Sequence, residues 1–195
     1  MTPTPPLMHL PYPGFIHFGH FMPQCDINAL HLLASKTWAA RGRPLIMAEV
    51  GSFTGASALA LVNYAERLYC IDTWQGGGNH EDTVDRIYQK QPERFVLNAF
   101  EYNTRHVSDK IVVCKESSLS AAVNMGDLDF DLVFLDADHR YEAVKADIQA
   151  WLPLVRPGGI MATHDFGDQF PGVRQAVTSL IKKFSVIGNV AWWET

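Results

Sequence analysis

Acidic and histidine residues in this chain gather where apolar runs stop. Glu49 closes "PLIMA", Asp72 closes "RLYCI", and Asp136, Asp138 and His139 follow "FDLVFL". His164 and Asp165 follow "GIMAT". Carboxylates such as Asp136 and Asp165 suit a hard divalent cation. An imidazole has an ordinary pKa near 6.5, so His139, three residues beyond Asp136, is mostly neutral at pH 7 and able to take a proton. A hydroxyl with a pKa of ~10 is mostly protonated at that pH. A base or a Lewis acid beside it turns its oxygen into a nucleophile. Asp138 has two readings, a cap for the helix that starts near Tyr141 or a group that holds His139 in one tautomer.

The stretch "EVGSFTGASALALV", residues 49–62, reads as a strand end, a glycine turn and a helix start. A dinucleotide turn needs G-x-G-x-x-G so that backbone can approach a pyrophosphate. Here Phe53 holds the middle position, and no Gly-Lys-Ser/Thr follows, so the phosphate-loop pattern fails as well. The turn suits an adenosine-bearing ligand with an amino-acid end. Glu49 could orient the ammonium, Gly51 lets backbone come close, and Asp72 could accept both ribose hydroxyls. A carboxylate at Asp72 also disfavours a 2′-phosphate.

These residues need a frame that brings strand ends together. The runs at 44–50, 67–72, 110–116, 130–138 and 159–166 read as strands. Helical patterns lie between them: Asp26, as a cap, to about Arg41; 55–66; 82–90; 92–106; and 141–155, broken by "RPGG". Val173, Ala176, Val177, Leu180 and Ile181 mark a last helix, and "FSVIGNVAWWE" reads as two strands about a Gly-Asn turn. Trp192 and Trp193 then face opposite ways, one into the core and one toward a dimer interface. Strands alternating with helices require a mostly parallel sheet covered on both faces, an α/β three-layer sandwich. In such folds ligands sit at the carboxyl ends of the strands, near the reversal of strand order.

The chain has 195 residues, 21 acidic against 16 basic, and a net charge of −5. One domain over 26–195 with an arm or lid over 1–25 fits that length. The arm carries six prolines and no lysine or arginine. The charge gives no support to a nucleic acid partner, no apolar run approaches a membrane span, and three dispersed cysteines suggest a reducing, cytoplasmic setting.

In turn, ribose acid, "FLDADH" and "RPGG", the chain resembles the class I S-adenosylmethionine-dependent methyltransferases over about residues 45–187. It is most similar to the small O-methyltransferases of the catechol, caffeoyl-CoA and macrocin types. The resemblance implies a seven-stranded Rossmann-like sheet whose last strand is antiparallel, and methyl transfer to the hydroxyl of a small molecule. It implies cofactor contacts at Glu49, Gly51, Ser52, Gly55, Asp72, Thr73, Ser117, Ser118 and Asp136, and metal ligands, for Mg²⁺ or another divalent cation, at Asp136 and Asp165. Catalysis would fall to His139 with Asp136. Those relatives place an asparagine ligand after the second aspartate, whereas this chain has Phe166; His164 and Asp168 are the substitutes at hand. His17, His20, Trp74 and His164 are the lid and substrate-side candidates. Two other readings keep the scaffold: methylation of nitrogen or carbon in a small molecule, and an inactive nucleoside-binding protein.

Overall fold

The computed structural model describes residues 16, 22–76, 86, 90, 91 and 94–195. The expected helix at 82–90 falls mostly outside these residues, and so do His17 and His20 of the arm. In chain order the elements are α1 (Gln24–Arg41), β1 (Leu45–Val50), α2 (Ala56–Leu61), β2 (Ala65–Asp72), α3 (Phe95–Thr104) and β3 (Ile111–Lys115). They continue with α4 (Ser118–Asn124), β4 (Phe130–Leu135), α5 (Tyr141–Trp151), β5 (Val155–Thr163), α6 (Pro171–Leu180), β6 (Ser185–Ile187) and β7 (Val190–Glu194). One seven-stranded sheet runs β3-β2-β1-β4-β5-β7-β6. β7 pairs antiparallel with both neighbours, and the other pairings are parallel.

Strand alternation splits the core in two. Leu45, Met47, Leu132, Phe134, Ile160 and Ala162 face α1, α2 and α3. Ala48, Val50, Val133, Leu135 and Met161 face α4, α5 and α6. Each Val, Leu, Ile, Met or Phe side chain buried this way contributes about 1.5–3 kcal/mol. Trp193 packs on the second face. Trp192 lies half-buried on the first, beneath the Lys36 ammonium at 4.5 Å from its ring.

Three expectations need correction. The helix after the glycine turn is short, because Asn63 Nδ2 donates to the carbonyls of Leu59 and Ala60 and ends it, and Ala65 already belongs to β2. "RPGG" lies inside β5, where Gly158 takes φ 70° and the register with β4 shifts. Asp26 does not cap α1: the N-cap is Pro23, and the Asp26 carboxylate reaches Asn189 and His164 instead.

At the amino ends of the central strands, Asp131 is wholly buried and gathers three arginines. Arg43 donates to both of its oxygens at 3.0 Å, and Arg41 Nε and Arg156 Nε each stand 3.2 Å away. Removing one partner from such a cluster leaves the others uncompensated. Asp131→Asn should therefore destabilise the fold by about 3 kcal/mol, the low end for buried pairs because the arginines reach water. Urea unfolding would measure this, and an unchanged midpoint would refute it.

Candidate active site

The strand order reverses between β1 and β4. There Asp136 N donates to Val50 O at 2.7 Å, and Gly51 N donates to Ile71 O at 2.8 Å. Gly51 has φ 95°, and a Cβ built on it would run into the Asp136 carbonyl. Two backbones thus touch at the switch point, and only glycine fits.

The turn beyond Gly51 is held by Asp72. Its Oδ2 accepts from Phe53 N at 2.9 Å and its Oδ1 from Trp74 N at 2.7 Å. Both flanking residues have positive φ, 45° at Phe53 and 50° at Trp74. Trp74 is buried against Phe100 and donates Nε1 to Phe53 O at 2.8 Å, so it lies under the turn. Asn103 Nδ2 donates to Thr54 O at 2.9 Å, and Asn103 Oδ1 accepts from Ile16 N of the arm at 2.9 Å. Gly55 packs against Phe100 and Thr104 of α3. Glu49 is fully buried below the turn. Burial pushes its pKa up to about 7, with the neighbouring Ser57 and Ser52 hydroxyls pulling the other way.

The ends of β4 and β5 carry the second half of the site. Asp136 continues the α1-facing side of β4 and His164 the same side of β5, so they are lateral neighbours. Alternation would send Asp165 to the opposite side. A left-handed φ of 59° turns it back. As a result His164 Nδ1 lies 3.2 Å from Asp136 Oδ1 and 3.4 Å from Asp165 Oδ2. His139 Nε2 stands 2.8 Å from Asp165 Oδ2, and its ring stacks on Phe170 at 4.2 Å.

The charges answer one another. Burial would lower the His164 pKa, but the Asp136 and Asp165 carboxylates push it up to about 11. Burial would raise Asp165, yet His139 and His164 hold it well below the usual carboxylate range. For Asp26, burial again opposes ionisation, and hydrogen bonds from Asn189 and His164 outweigh it.

A family model described as a methyltransferase domain matches residues 48–166, from the β1 strand through the glycine turn and Asp136 to Asp165. The chain belongs to the methyltransferase domain family. An O-methyltransferase from Bacillus cereus, solved in complex with SAH, superposes with a TM-score of 0.64 at 15% identity, covering 91% of this chain and 84% of that one. CalS11, a calicheamicin methyltransferase, gives 0.66 at 16% identity over 88% and 79%. An uncharacterised protein of Sinorhizobium fredii is 26% identical over 129 residues, 63% of this chain, and the match spans 13% of that relative's length. The class I methyltransferase fold expected from the sequence is therefore the fold of this chain.

Within this methyltransferase domain, Asp136, His139 and Asp165 offer ligand atoms within 4.8 Å of one another. With His164 alongside, the donors are two carboxylates and two imidazoles, a set that fits a divalent cation. Phe166 contributes nothing; its ring packs on Phe184 at 5.3 Å. Asp138 accepts from Arg140 N at 2.8 Å and from its guanidinium, so it shapes the turn into α5. Thr73 Oγ1 accepts from Gln75 N at 3.2 Å. Ser117 caps α4, while Ser118 Oγ meets Asp147 Oδ1 at 2.5 Å and Trp151 Nε1 at 2.9 Å. Burial pushes Asp147 up to about 6, with Ser118 opposing.

Sequence reasoning missed Asp26, Asn189 and Phe170. Only Phe170 left a local signal, the Phe-Pro-Gly run at the start of α6. There a Cβ on Gly172 would strike the His139 carbonyl, so the helix presses on the loop that carries His139.

Two left-handed glycines separate conformation from contact. Gly158 has φ 70°, and a Cβ placed on it would meet nothing within 4 Å, whereas one on Gly51 meets backbone. Gly158→Ala should cost about 1–2 kcal/mol, the left-handed penalty alone. Gly51→Ala should cost more and abolish cofactor binding, because β1 and β4 must part. Thermal melts of the two variants would compare them, and equal losses would refute the contact argument.

Proposed function

We propose that this chain methylates a hydroxyl oxygen of a small molecule, using S-adenosylmethionine as donor and His139 as base. The observation that carries the reading is His139 Nε2 at 2.8 Å from Asp165 Oδ2, at the rim beside the switch point. A carboxylate on an imidazole stabilises the imidazolium that forms when the ring takes a proton. Similarity to O-methyltransferases supports oxygen as the acceptor atom, and CalS11 is described as a TDP-rhamnose 3′-O-methyltransferase.

The cofactor would lie across the Gly51 turn. Asp72, aimed by the Phe53 and Trp74 amides, accepts the ribose hydroxyls, and Glu49 faces the amino-acid end. Ser52, Gly55, Thr73, Ser117 and Ser118 complete its surroundings. The acceptor oxygen attacks the methyl carbon in line, the carbon–sulfur bond breaks, and its electron pair returns to sulfur. The hydroxyl proton passes to His139. Asp136 and Asp165 would hold a divalent cation, which when bound lowers the pKa of the hydroxyl and fixes its place. Phe170 keeps the imidazole plane fixed by stacking.

Asp72→Asn sets an amide NH₂ against one of the two backbone N–H groups that the carboxylate oxygens hold, and it loses the charge that strengthens both ribose bonds. It should weaken S-adenosylmethionine binding about 10- to 100-fold. Calorimetric titration checks this; an unchanged dissociation constant in a folded variant would remove the ribose assignment.

His139→Ala should lower turnover about 10²- to 10⁴-fold. The loss should shrink for acceptors of lower hydroxyl pKa, which arrive partly ionised, and the acidic limb of the activity–pH profile should vanish. An equal loss across a graded acceptor series, with the limb intact, would deny His139 the role of base.

A further inference from the structure

We infer that His164 Nδ1 is the third protein ligand of a cation site made with Asp136 and Asp165, and that Asp26 is the positioning residue that aims it. The inference rests on the methyl-transfer site proposed above and deepens it by naming the ligand that Phe166 cannot supply.

The geometry around Nδ1 is that of neighbouring ligands. It stands 3.2 Å from Asp136 Oδ1 and 3.4 Å from Asp165 Oδ2. Adjacent ligands of an octahedral ion with bonds of about 2.1 Å lie about 3.0 Å apart. A shift of a few tenths of an ångström would close the set. Nδ1 gives up its proton on ligating, the usual exchange for an imidazole.

The far side of the ring is built for the task. His164 Nε2 meets Asp26 Oδ2 at 3.0 Å, and the pair is buried. Ligating histidines commonly give their other N–H to a carboxylate, which fixes tautomer and ring orientation. Asp26 is held in turn: Oδ1 accepts from Asn189 N at 2.9 Å and Oδ2 from Asn189 Nδ2 at 3.0 Å. A Cβ on Gly188 would collide with Asp26 Oδ1, so the β6–β7 turn presses directly on this carboxylate. The first helix and the last hairpin thus meet on one side chain, far more construction than a helix cap requires.

The other candidates fit less well. Asp168 is exposed and pairs with Arg174. His139 Nε2 also meets Asp165 Oδ2 at 2.8 Å, but the reaction proposed above assigns it the proton, and the test below separates the two imidazoles. An imidazole among carboxylates also shifts preference from Mg²⁺ toward a first-row transition ion such as Mn²⁺.

The test loads the full chain with Mn²⁺ and reads nitrogen coupling to the ion by pulsed electron paramagnetic resonance. Coupling should be present in the native protein and in His139→Ala, and absent in His164→Gln. Asp26→Asn should weaken Mn²⁺ binding about 10- to 100-fold. Should His164→Gln not fold, His139→Ala still decides, because it leaves His164 as the imidazole between the two carboxylates. Coupling lost in His139→Ala, Mn²⁺ bound without nitrogen coupling, or no Mn²⁺ bound would each overturn the inference. Methyl transfer by the chelated native enzyme would sink the ligand assignment and leave the reaction standing. Nitrogen-coupled Mn²⁺ with no transfer to any hydroxyl would do the reverse.

Discussion

At the switch point the Gly51 Cα faces the Asp136 carbonyl, and Asp136 N bonds Val50 O at 2.7 Å. The rest of the site is arranged around that approach. It places the glycine turn after β1 directly beside Asp136, the residue that follows β4, so the two halves of the site share a wall of backbone. Backbone cannot change rotamer, and this makes the wall a rigid reference for the groups on either side. Asp72 fastens the turn on one side, while β5, paired to β4 with Leu135 opposite Thr163, delivers His164 and Asp165 on the other.

Strain concentrates on the same rim. Phe53, Trp74 and Asp165 all adopt left-handed φ values, a conformation that costs about 1–2 kcal/mol for a side chain bearing Cβ. Each is held there by bonds to its neighbours. The Asp72 carboxylate takes the amides of Phe53 and Trp74, the Trp74 indole returns to Phe53 O, and Asp165 meets two imidazoles. Backbone strain at this density marks a place where position outranks local stability.

Strands and their ends were legible because each apolar run stops at a polar residue, and a parallel sheet puts all such stops on one rim. Glu49, Asp72, Asp136 and Asp165 could be found this way, as could the antiparallel hairpin, from its Gly-Asn turn. The brace was not legible. Asp26 and His164 are 138 residues apart, and nothing local distinguishes a buried carboxylate near a helix start from a cap. The convergence of His164 with Asp165 was hidden for another reason: alternation separates neighbours, and only a left-handed residue reunites them. Ser118 shows the same limit, since its bond to Asp147 depends on where α5 packs, 29 residues away.

The two ends of the sheet hold different buried charge clusters. At the amino end one buried carboxylate, Asp131, faces three arginines, and within that cluster cations are in excess. At the carboxyl end Asp26, Asp136 and Asp165 surround His164, with Glu49 and Asp72 close by under the turn. Acidic groups are in excess there, and the imidazoles offset only part of it. A sulfonium donor and a divalent cation are both positive, and both would be drawn to that rim. The arginines belong to the fold alone: they stitch α1, β1, β4 and β5 together where no ligand is called for. By tying the strands at that end, they let the other end hold its carboxylates close without the sheet opening between β1 and β4, the gap on which the site is built.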